Sequence, residues 1–294
     1  MSNITVIGGK ASEDLARKIA RRLKAGFIGT DLRVFPDGES KITLTGRPRK
    51  GRIVVVNSTY PPVDTNLMQT LSLVYKAKQF SDTVTAVIPY IGYARQDREF
   101  LSGEIVTLSV VAKLLKAAGA SAVVVVDIHS KIGMKHFGIP IKNVSAISYL
   151  AKHFKKMNLR DPLVVSPDLG GAKRAEEFAG FYGAENIALK KQRDRRTGKV
   201  QIMTTNVEGV MGRDLILVDD MISTGGSIVK ATEFLKKQKC RRVFVACTHA
   251  LLIDGAEKKI KRAGVSRIVS TNTIPNNTSA VDVSEAIAKA VLDA

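Results

Sequence analysis

The stretch that decides the fold is DLILVDDMISTGGSI, residues 214–228. Four apolar residues, Leu215 to Val218, predict a short buried strand. We expect this strand to stop at Asp219 and Asp220, because adjacent carboxylates are costly to bury unless they are solvated or paired. Small residues follow, and then a helical pattern runs from Ile228 to Lys237. A buried strand, a tight turn and a helix in this order are typical of an α/β fold.

The turn after this strand has the composition of a phosphate-binding loop. Its residues are Ser223, Thr224, Gly225, Gly226 and Ser227. The glycines allow a tight turn, the hydroxyls donate hydrogen bonds, and the helix start adds a partial positive charge. The acidic pair beside the loop suits sugar hydroxyls or a metal ion. We therefore expect a phosphate site here.

Length and composition limit the kinds of protein that this chain can be. Its 294 residues suffice for two domains of ordinary size. Hydrophobic residues make up 45% and aromatic residues only 5%, so the cores must be aliphatic. No apolar run reaches the roughly 18 residues that a membrane span needs, and a signal peptide is not evident. We expect a cytoplasmic protein with no membrane partner, in which Cys240 and Cys247 are buried thiols.

The formal net charge of +19 admits two interpretations. A nucleic-acid-binding protein would concentrate its basic residues in a stripe, whereas here Lys and Arg are spread along every helical segment and only residues 190–199 are dense. A solvated surface is the favoured interpretation, and nucleic acid is not the expected partner. The excess charge would also attract polyanionic substrates such as nucleotides and sugar phosphates.

Strands and helices alternate along the chain, and the second half repeats the plan of the first. The predicted strand at 52–56, with its loop and helix, aligns with 214–218 and its loop and helix. The first loop reads STYPP and has neither the glycines nor the paired acids. We infer two duplicated domains with open, mainly parallel sheets. They are residues 1–144, with a degenerate phosphate loop, and residues 145–280, with the intact loop; the helix in 281–294 could return to the first domain.

Acidic residues follow three of the predicted strands. In open parallel sheets, ligands collect at the carboxyl ends of strands, and the acids at these ends are Asp127, Asp168 and the 219–220 pair. Asp127 and His129 would face the same side of an extended chain, where Mg²⁺ that also binds phosphate oxygens would suit them. Taken singly, each acid is more often a cap or turn residue, and His129 could simply satisfy a local carbonyl.

Three further segments are candidates for nucleotide binding. The turn FPDGE, residues 35–39, reads by default as a hairpin between two short strands. The loop at 89–98 could clamp a nucleotide by aromatic stacking and bidentate arginine contacts, or could be a solvated charge run. Its polar and aromatic members are Tyr90, Tyr93, Arg95, Gln96, Asp97 and Arg98. A basic turn, which is either a mobile lid or an exposed hairpin, contains Lys191, Arg193, Arg195 and Arg196.

Five motifs together resemble those of the ribose-phosphate pyrophosphokinases, or phosphoribosyl pyrophosphate (PRPP) synthetases. They are FPDGE at Phe35, ARQDR at Ala94, DxH at Asp127, SPDxGG at Ser166 and VDDMISTGG at Val218. The resemblance runs nearly end to end, and in its short length the chain is similar to the archaeal branch. It implies the type I phosphoribosyltransferase-like fold and transfer of the diphosphoryl group of ATP to the anomeric hydroxyl of ribose 5-phosphate, giving PRPP and AMP for nucleotide biosynthesis.

The resemblance also implies roles for residues that occupy the motif positions. In a homo-oligomer whose ATP site lies at a subunit interface, the ATP-binding residues would be Phe35, Asp37, Glu39, Arg95, Gln96 and Asp97. Ribose 5-phosphate would be bound by Asp219, Asp220, Ser223, Thr224, Gly225, Gly226 and Ser227. The cofactor Mg²⁺ would be held by His129, Asp168 and Asp127. Lys191 and Arg193 match the Lys-x-Arg of a catalytic loop that closes over the triphosphate.

The chain departs from the commonest family pattern in three places. Residues 99–104 lack the usual basic, proline-containing continuation, the stretch after His129 lacks glutamines, and Ser223 stands where many relatives carry an acid. These departures put regulation and oligomer geometry in doubt. Two other classes of protein also stay open. A phosphoribosyltransferase or PRPP-sensing regulator would explain the loop at Asp219 but would have no use for FPDGE and ARQDR. A basic nucleic-acid-binding scaffold would bind RNA or DNA in a salt-sensitive manner.

Overall fold

The computed structural model describes residues 3–193, 200–202 and 209–293. The chain forms two compact units, of which the first comprises residues 1–145, 273–275 and 283–294, and the second residues 146–272 and 276–282. Each unit contains one six-stranded sheet in which all paired strands are parallel. The predicted fold class, with two open parallel α/β sheets, is confirmed.

The sheet of the first unit has the strand order β2-β1-β5-β6-β7-β8. Its strands are β1 (Ile4–Gly8), β2 (Gly26–Ile28), β5 (Arg52–Val56), β6 (Val84–Ile88), β7 (Ala122–Val126) and β8 (Ile141–Val144). A separate antiparallel hairpin is formed by β3 (Thr30–Val34) and β4 (Ser40–Leu44). The helices are α1 (Glu13–Leu23), α2 (Val63–Lys78), α3 (Thr107–Ala117) and α8 (Ser284–Leu292).

The sheet of the second unit has the strand order β10-β9-β13-β14-β15-β16. Its strands are β9 (Leu163–Ser166), β10 (Glu185–Ala188), β13 (Asp214–Ile222), β14 (Arg242–Ala250), β15 (Val265–Thr271) and β16 (Ser279–Val281). The hairpin consists of β11 (Lys191–Arg193) and β12 (Val200–Ile202). The helices are α4 (Ile147–Lys155), α5 (Ala172–Tyr182), α6 (Gly226–Lys237) and α7 (Ala256–Arg262).

The two units follow the same plan, strand for strand. The first strand of each unit, β1 or β9, has the next strand, β2 or β10, on one side at the sheet edge. On its other side lies β5 in the first unit and β13 in the second. The hairpin is inserted at the same place, so β3–β4 corresponds to β11–β12, and β5 corresponds to β13. The segments 52–56 and 214–218, which align in the sequence, thus occupy equivalent positions in the two sheets. This equivalence supports an internal duplication.

Strand β13 is apolar on both faces because helices cover both sides of its sheet. Leu215 and Leu217 pack in one core cluster with Ile228 of α6. Ile216 and Val218 pack in the opposite cluster, which includes Phe154 and Phe178 of the helices α4 and α5. A strand buried on both faces reads as a continuous apolar run rather than as an alternating one, as the sequence predicted.

The predicted end of this strand is wrong. Strand β13 does not stop at Asp219, because β14 is equally long and continues to pair with it as far as Ile222 and Ala250. On the other side, the pairing with β9 ends at Leu217. The two acids therefore lie inside a strand that is hydrogen-bonded along one side only, which is why their carboxylates are tolerated there.

Other boundaries agree or differ for identifiable reasons. Strands β5 and β7 have the predicted bounds, whereas the final helix begins at Ser284, because Val281 belongs to β16. Ser12 occupies the predicted N-cap position of α1, but its side chain makes no capping bond. Instead, its Oγ accepts a hydrogen bond of 2.9 Å from the amide of Ser58. None of the helices in the described ranges is both long and apolar enough to cross a membrane.

A buried carboxylate anchors the first residue of β13. The Asp214 side chain is fully buried and contacts Nη2 of Arg242 at 2.6 Å and Nη1 of Arg241 at 2.9 Å. The amide of Arg160 donates to it at 2.8 Å. Burial raises the pKa of Asp214, whereas the hydrogen bonds from Arg242 and Arg160 lower it. The lowering effects together outweigh burial, so the pKa lies below its ordinary value. The group therefore stabilises the fold as an anion.

We expect Asp214→Asn to lower the free energy of unfolding by about 2 kcal/mol at neutral pH, because it removes the charge from a buried network. The pKa of Asp214 is lower in the folded state than in the unfolded state. The wild type should therefore have the larger free energy of unfolding at pH values above the unfolded-state pKa, near 4, and this difference should disappear as the pH falls through the folded-state pKa. Urea titrations between pH 2 and pH 8 measure this. Asp161→Asn, which alters an exposed carboxylate paired with Arg213, should change stability by less than about 1 kcal/mol. A pH-independent difference in stability for Asp214→Asn would contradict the proposed role of its charge.

Candidate active site

The acidic pair of the second unit faces one guanidinium group. Asp219 and Asp220 lie near the carboxyl end of β13, and Arg174 lies in the first turn of α5. Nη1 of Arg174 is 3.5 Å from Oδ1 of Asp219 and 3.4 Å from Oδ1 of Asp220. The Asp219 side chain is 21% exposed and that of Asp220 only 5%. The guanidinium of Arg174 thus contacts two carboxylates that are largely withdrawn from water.

Neighbouring charges and burial together set the pKa of Asp219. Burial and the neighbouring carboxylate of Asp220 raise the pKa of Asp219 above its ordinary value, whereas Arg174 opposes the shift. The charge of Asp168 raises this pKa further, so the structure brings the predicted strand-end acids of the second unit together. Carboxylates gathered in this way can accept hydrogen bonds from hydroxyl groups or attract a cation.

The predicted phosphate loop connects β13 to α6. Gly225 caps the helix with a φ of 78°, and a Cβ at this position would lie 2.9 Å from Cδ1 of Ile260. Glycine is thus required at 225 both by the backbone conformation and by the packing of α7. Around Gly226 a Cβ would meet open space, so the start of the helix is accessible. An exposed helix start of this kind can bind a phosphate group.

A second turn at the same sheet edge contains the SPDxGG motif. Oδ1 of Asp168 accepts a hydrogen bond of 3.1 Å from the amide of Gly171. Oγ of Ser166 donates to the carbonyl of Asp168 at 2.6 Å. A Cβ at Gly171 would lie only 2.6 Å from that hydroxyl. The glycine therefore permits the close turn that leads into α5 and places Arg174 beside the acidic pair.

The corresponding loop of the first unit is filled by its own side chains. Asn57 occupies the place of Asp219 and is fully buried. Its Oδ1 accepts from the amide of Ala11 at 3.2 Å, while its Nδ2 donates to the carbonyl of Asn66 at 3.3 Å and to Oγ1 of Thr70 at 3.0 Å. These groups satisfy one another where the second unit presents charged groups. The loss of glycines and acids noted in the sequence thus coincides with a closed polar network.

The FPDGE segment forms the expected hairpin turn. The amide of Phe35 donates to the carbonyl of Glu39 at 2.8 Å, and the amide of Glu39 donates to Oδ1 of Asp37 at 3.1 Å. Asp37 and Glu39 are exposed, whereas Phe35 is half-buried with the guanidinium of Arg33 5.0 Å from its ring centroid. These hydrogen bonds close the turn, which presents two carboxylates to the surroundings.

The ARQDR loop has an unusual backbone and divides its side chains between two environments. Tyr93 has a φ of 64°, which is rare for a bulky residue, and its hydroxyl donates to Asp64. Arg95 and Gln96 are exposed, whereas Asp97 is only 6% exposed. Arg95 and Gln96 are accordingly placed to meet a ligand, while Asp97 belongs to the support of the loop.

The geometry expected at Asp127 and His129 is not observed. Asp127 has a φ of 37°, so the chain is not extended there, and simple alternation does not place the two side chains on one side. The amide of Asp127 still pairs with Val144, after which the amide of Ile128 donates to Oδ1 of Asn143. These contacts turn the chain at the end of β7. Asp127 is buried and His129 is exposed.

The two predicted catalytic residues lie on strand β11. Lys191 pairs with Ile202 and Arg193 with Val200 across the antiparallel hairpin. A hairpin at this position agrees with one of the two interpretations of the basic segment. Arg195 and Arg196, which were expected in its turn, lie outside the described residues.

Comparisons with known proteins agree with this architecture. Residues 4–119 match the N-terminal domain of ribose phosphate pyrophosphokinase, and residues 184–292 match the phosphoribosyl synthetase-associated domain. The ribose-phosphate pyrophosphokinase of Sulfurisphaera tokodaii is 35% identical over 97% of this chain and 99% of its own length. That of Methanothermobacter thermautotrophicus is 37% identical over 98% of this chain and 100% of its own length.

A solved structure extends the similarity to three dimensions. The phosphoribosylpyrophosphate synthetase of Mycobacterium smegmatis superimposes with a TM-score of 0.85 at 29% identity, over 99% of this chain and 98% of that one. The duplicated sheets and the loop at 223–227, together with this similarity, therefore identify a transferase of the phosphoribosyltransferase-like class. More specifically, the chain belongs to the ribose-phosphate pyrophosphokinase family. The predicted family and enzyme class are confirmed, as is the similarity to archaeal members.

One residue of the site was missed by sequence reasoning. Arg174 follows the two glycines of the SPDxGG motif by three positions, which puts it in the first turn of a helix at the edge of the sheet where ligands bind. That position was the one feature of the sequence from which a site role for Arg174 could have been predicted. Its acidic partners are more than forty residues away in the chain, so no local pattern reveals the contact.

We expect Arg174→Gln to raise the KM for ribose 5-phosphate by roughly tenfold, because it removes the cation that opposes the upward shift in the pKa of Asp219. Without Arg174 the pKa of Asp219 rises further, and the acid limb of the pH profile of kcat/KM should move to higher pH. Initial rates measured from pH 5 to pH 9 test this shift. Lys173→Gln, at the exposed neighbouring position, is the matched control; an unmoved acid limb in Arg174→Gln would show that the arginine does not act through the carboxylates.

Proposed function

We propose that this protein transfers the diphosphoryl group of ATP to the anomeric hydroxyl of ribose 5-phosphate, giving PRPP and AMP. Its membership of the ribose-phosphate pyrophosphokinase family, over nearly the full length of the chain, supports this activity. The observation that carries the proposal is the presence in one chain of two kinds of site. The second unit holds an accessible helix start beside paired acids, and the first presents the FPDGE hairpin and the exposed Arg95 and Gln96.

In this proposal, ribose 5-phosphate occupies the second unit. Its phosphate accepts hydrogen bonds from the amides and hydroxyls of residues 223–227, at the start of α6. The ribose hydroxyls donate to Asp219 and Asp220. The closely spaced carboxylates, held from one side by Arg174, have the chemistry that this contact needs. The first unit contributes no second sugar-phosphate site, because Asn57 closes its loop.

ATP is assigned to the motifs of the first unit. Phe35, Asp37 and Glu39 would hold the adenine, with Arg95 and Gln96 contributing from another copy of the chain in a homo-oligomer. We assign the direct contacts in the second motif to Arg95 and Gln96 rather than to Asp97, because Asp97 is buried.

The free, buried thiols Cys240 and Cys247 suit a reducing compartment, and we propose that the enzyme works in the cytoplasm.

The donor atoms of the site fit Mg²⁺. This ion prefers oxygen ligands, takes few of them from protein, and usually binds substrate phosphates and water as well. The parts of the chain that the structure describes contain no cluster of three His, Cys, Asp or Glu residues arranged to hold a metal. Asp127 and His129 of the first unit, and Asp168 of the second, are the residues that we propose as ligands beside substrate oxygens, and the bound ion would neutralise charge on the triphosphate.

The reaction requires positive charge more than it requires a covalent nucleophile. The anomeric oxygen forms a bond to the β-phosphorus of ATP and loses its proton. At the same time the bond breaks between the β-phosphorus and the oxygen that joins it to the α-phosphorus, and this oxygen leaves with AMP. Lys191 and Arg193 would stabilise the charge that develops on the bridging and β-phosphoryl oxygens. A hairpin segment that covers the site would also exclude water, which would otherwise divert the reaction to hydrolysis.

The first test is the release of AMP from ATP by the purified protein. We expect AMP and PRPP in equal amounts, and only when both ribose 5-phosphate and Mg²⁺ are present. Binding of PRPP without AMP formation would instead identify a phosphoribosyltransferase or a regulator. Tight, salt-sensitive binding of RNA without turnover would identify a nucleic-acid-binding protein.

Lys191→Ala should reduce kcat by roughly a hundredfold or more, because it removes a cation that acts mainly on the transition state, while the Kd for ATP changes much less. Steady-state kinetics and calorimetric titration with ATP measure the two quantities. Lys190→Ala removes the adjacent, exposed positive charge and should leave kcat within about threefold of the wild type. Equal losses in kcat and ATP affinity for Lys191→Ala would make it a binding residue only.

A further inference from the structure

A histidine outside the five motifs links two segments of the first unit. Nε2 of His136 is 2.7 Å from the backbone carbonyl oxygen of Asp97, which belongs to the ARQDR motif. His136 ends a short 3₁₀-helical segment, Ile132–His136, that follows the Asp127 and His129 motif. A carbonyl oxygen has no proton to give, so the ring nitrogen must carry the hydrogen and donate it.

The segment that carries His136 is itself firmly placed. Phe137, the next residue, is 1% exposed and belongs to the core cluster of the first unit. Gly133 permits close packing against the loop, because a Cβ there would lie 2.4 Å from Cδ2 of Leu108 and 3.2 Å from Cβ of Asp97. The donor on His136 is therefore presented from a rigid support and not from a free surface side chain.

The ARQDR loop is held at three points, of which His136 provides one. At one end, the hydroxyl of Tyr93 donates to Asp64 of α2. In the middle, the carbonyl of Gln96 accepts a hydrogen bond of 3.2 Å from the amide of Leu108, in the first turn of α3. The third point is the carbonyl of Asp97. The exposed side chains of Arg95 and Gln96 lie between the first and the last of these contacts.

We propose that His136 is a positioning residue for nucleotide binding: its hydrogen bond to the carbonyl of Asp97 fixes the loop in the conformation in which Arg95 and Gln96 contact ATP. This inference rests on the proposed function of the loop. A loop that is already ordered loses less conformational entropy when the ligand binds. Loss of the hydrogen bond would therefore weaken ATP binding without removing any atom that touches ATP.

Four variants separate the hydrogen bond from the packing of the ring. His136→Phe keeps a ring of similar size but has no donor, and His136→Gln keeps an N–H donor. His136→Met and His136→Gln have side chains of similar length and differ mainly in the donor, so this pair serves if the phenylalanine variant does not fold. Lys135→Ala changes the exposed neighbouring residue and is the matched control.

We expect His136→Phe and His136→Met to raise the Kd and the KM for ATP by roughly three- to tenfold, the range for loss of one hydrogen bond. The KM for ribose 5-phosphate should stay within about twofold of the wild type. His136→Gln should recover most of the ATP affinity. Calorimetric titration with ATP alone measures the Kd, so it remains informative even if the wild type releases no AMP, a result that would refute the proposed function separately.

Three outcomes would overturn the assignment of His136. The first is an unchanged Kd for ATP in folded His136→Phe or His136→Met. The second is an equal rise in the KM of both substrates, which indicates a general structural defect. The third is a glutamine variant no better than the methionine variant, which would show that the N–H donor is irrelevant.

Discussion

The site of the second unit depends on a mismatch in pairing along β13. This strand is hydrogen-bonded to β9 only as far as Leu217, but to β14 as far as Ile222. The last residues of the strand are consequently paired along one side only. That arrangement places Asp219 and Asp220 in regular strand structure beside Arg174, and it sets the point from which the glycine loop turns into α6. A strand that ended with β9 would leave both acids on a flexible loop.

The duplication explains how one plan gives two different halves. Both units insert a hairpin at the same place in the sheet order, yet the first presents exposed acids on its turn and the second bears the Lys-x-Arg residues. At the equivalent strand ends, the second unit has Asp219, whereas the first has Asn57 in a closed network. The side chains at equivalent positions have diverged, and in the proposed function one half binds the nucleotide and the other binds the sugar phosphate.

Sequence reasoning succeeded where the cause of structure is local. Strands β5 and β7 were predicted residue for residue, because a run of Val and Ile between polar boundaries leaves little choice, and the hairpin at Phe35 follows from its turn residues. The end of β13 was wrong because it depends on the length of β14. The extended geometry at Asp127 was wrong because contacts with β8 and Asn143 impose a positive φ. Arg174 and His136 were missed because each acts on a group about forty residues away in the chain.

The buried Asn57 also bears on how the two halves can evolve. Its carboxamide satisfies a backbone amide, a backbone carbonyl and a hydroxyl at once, so the first unit no longer needs an anion to complete this part of its structure. Changing Asn57 alone would strand these groups in the interior, at a cost of about 1 to 3 kcal/mol for each unsatisfied partner. Regaining a phosphate site would require new glycines and acids together with the dismantling of this network. The specialisation of the first half is therefore hard to reverse one substitution at a time.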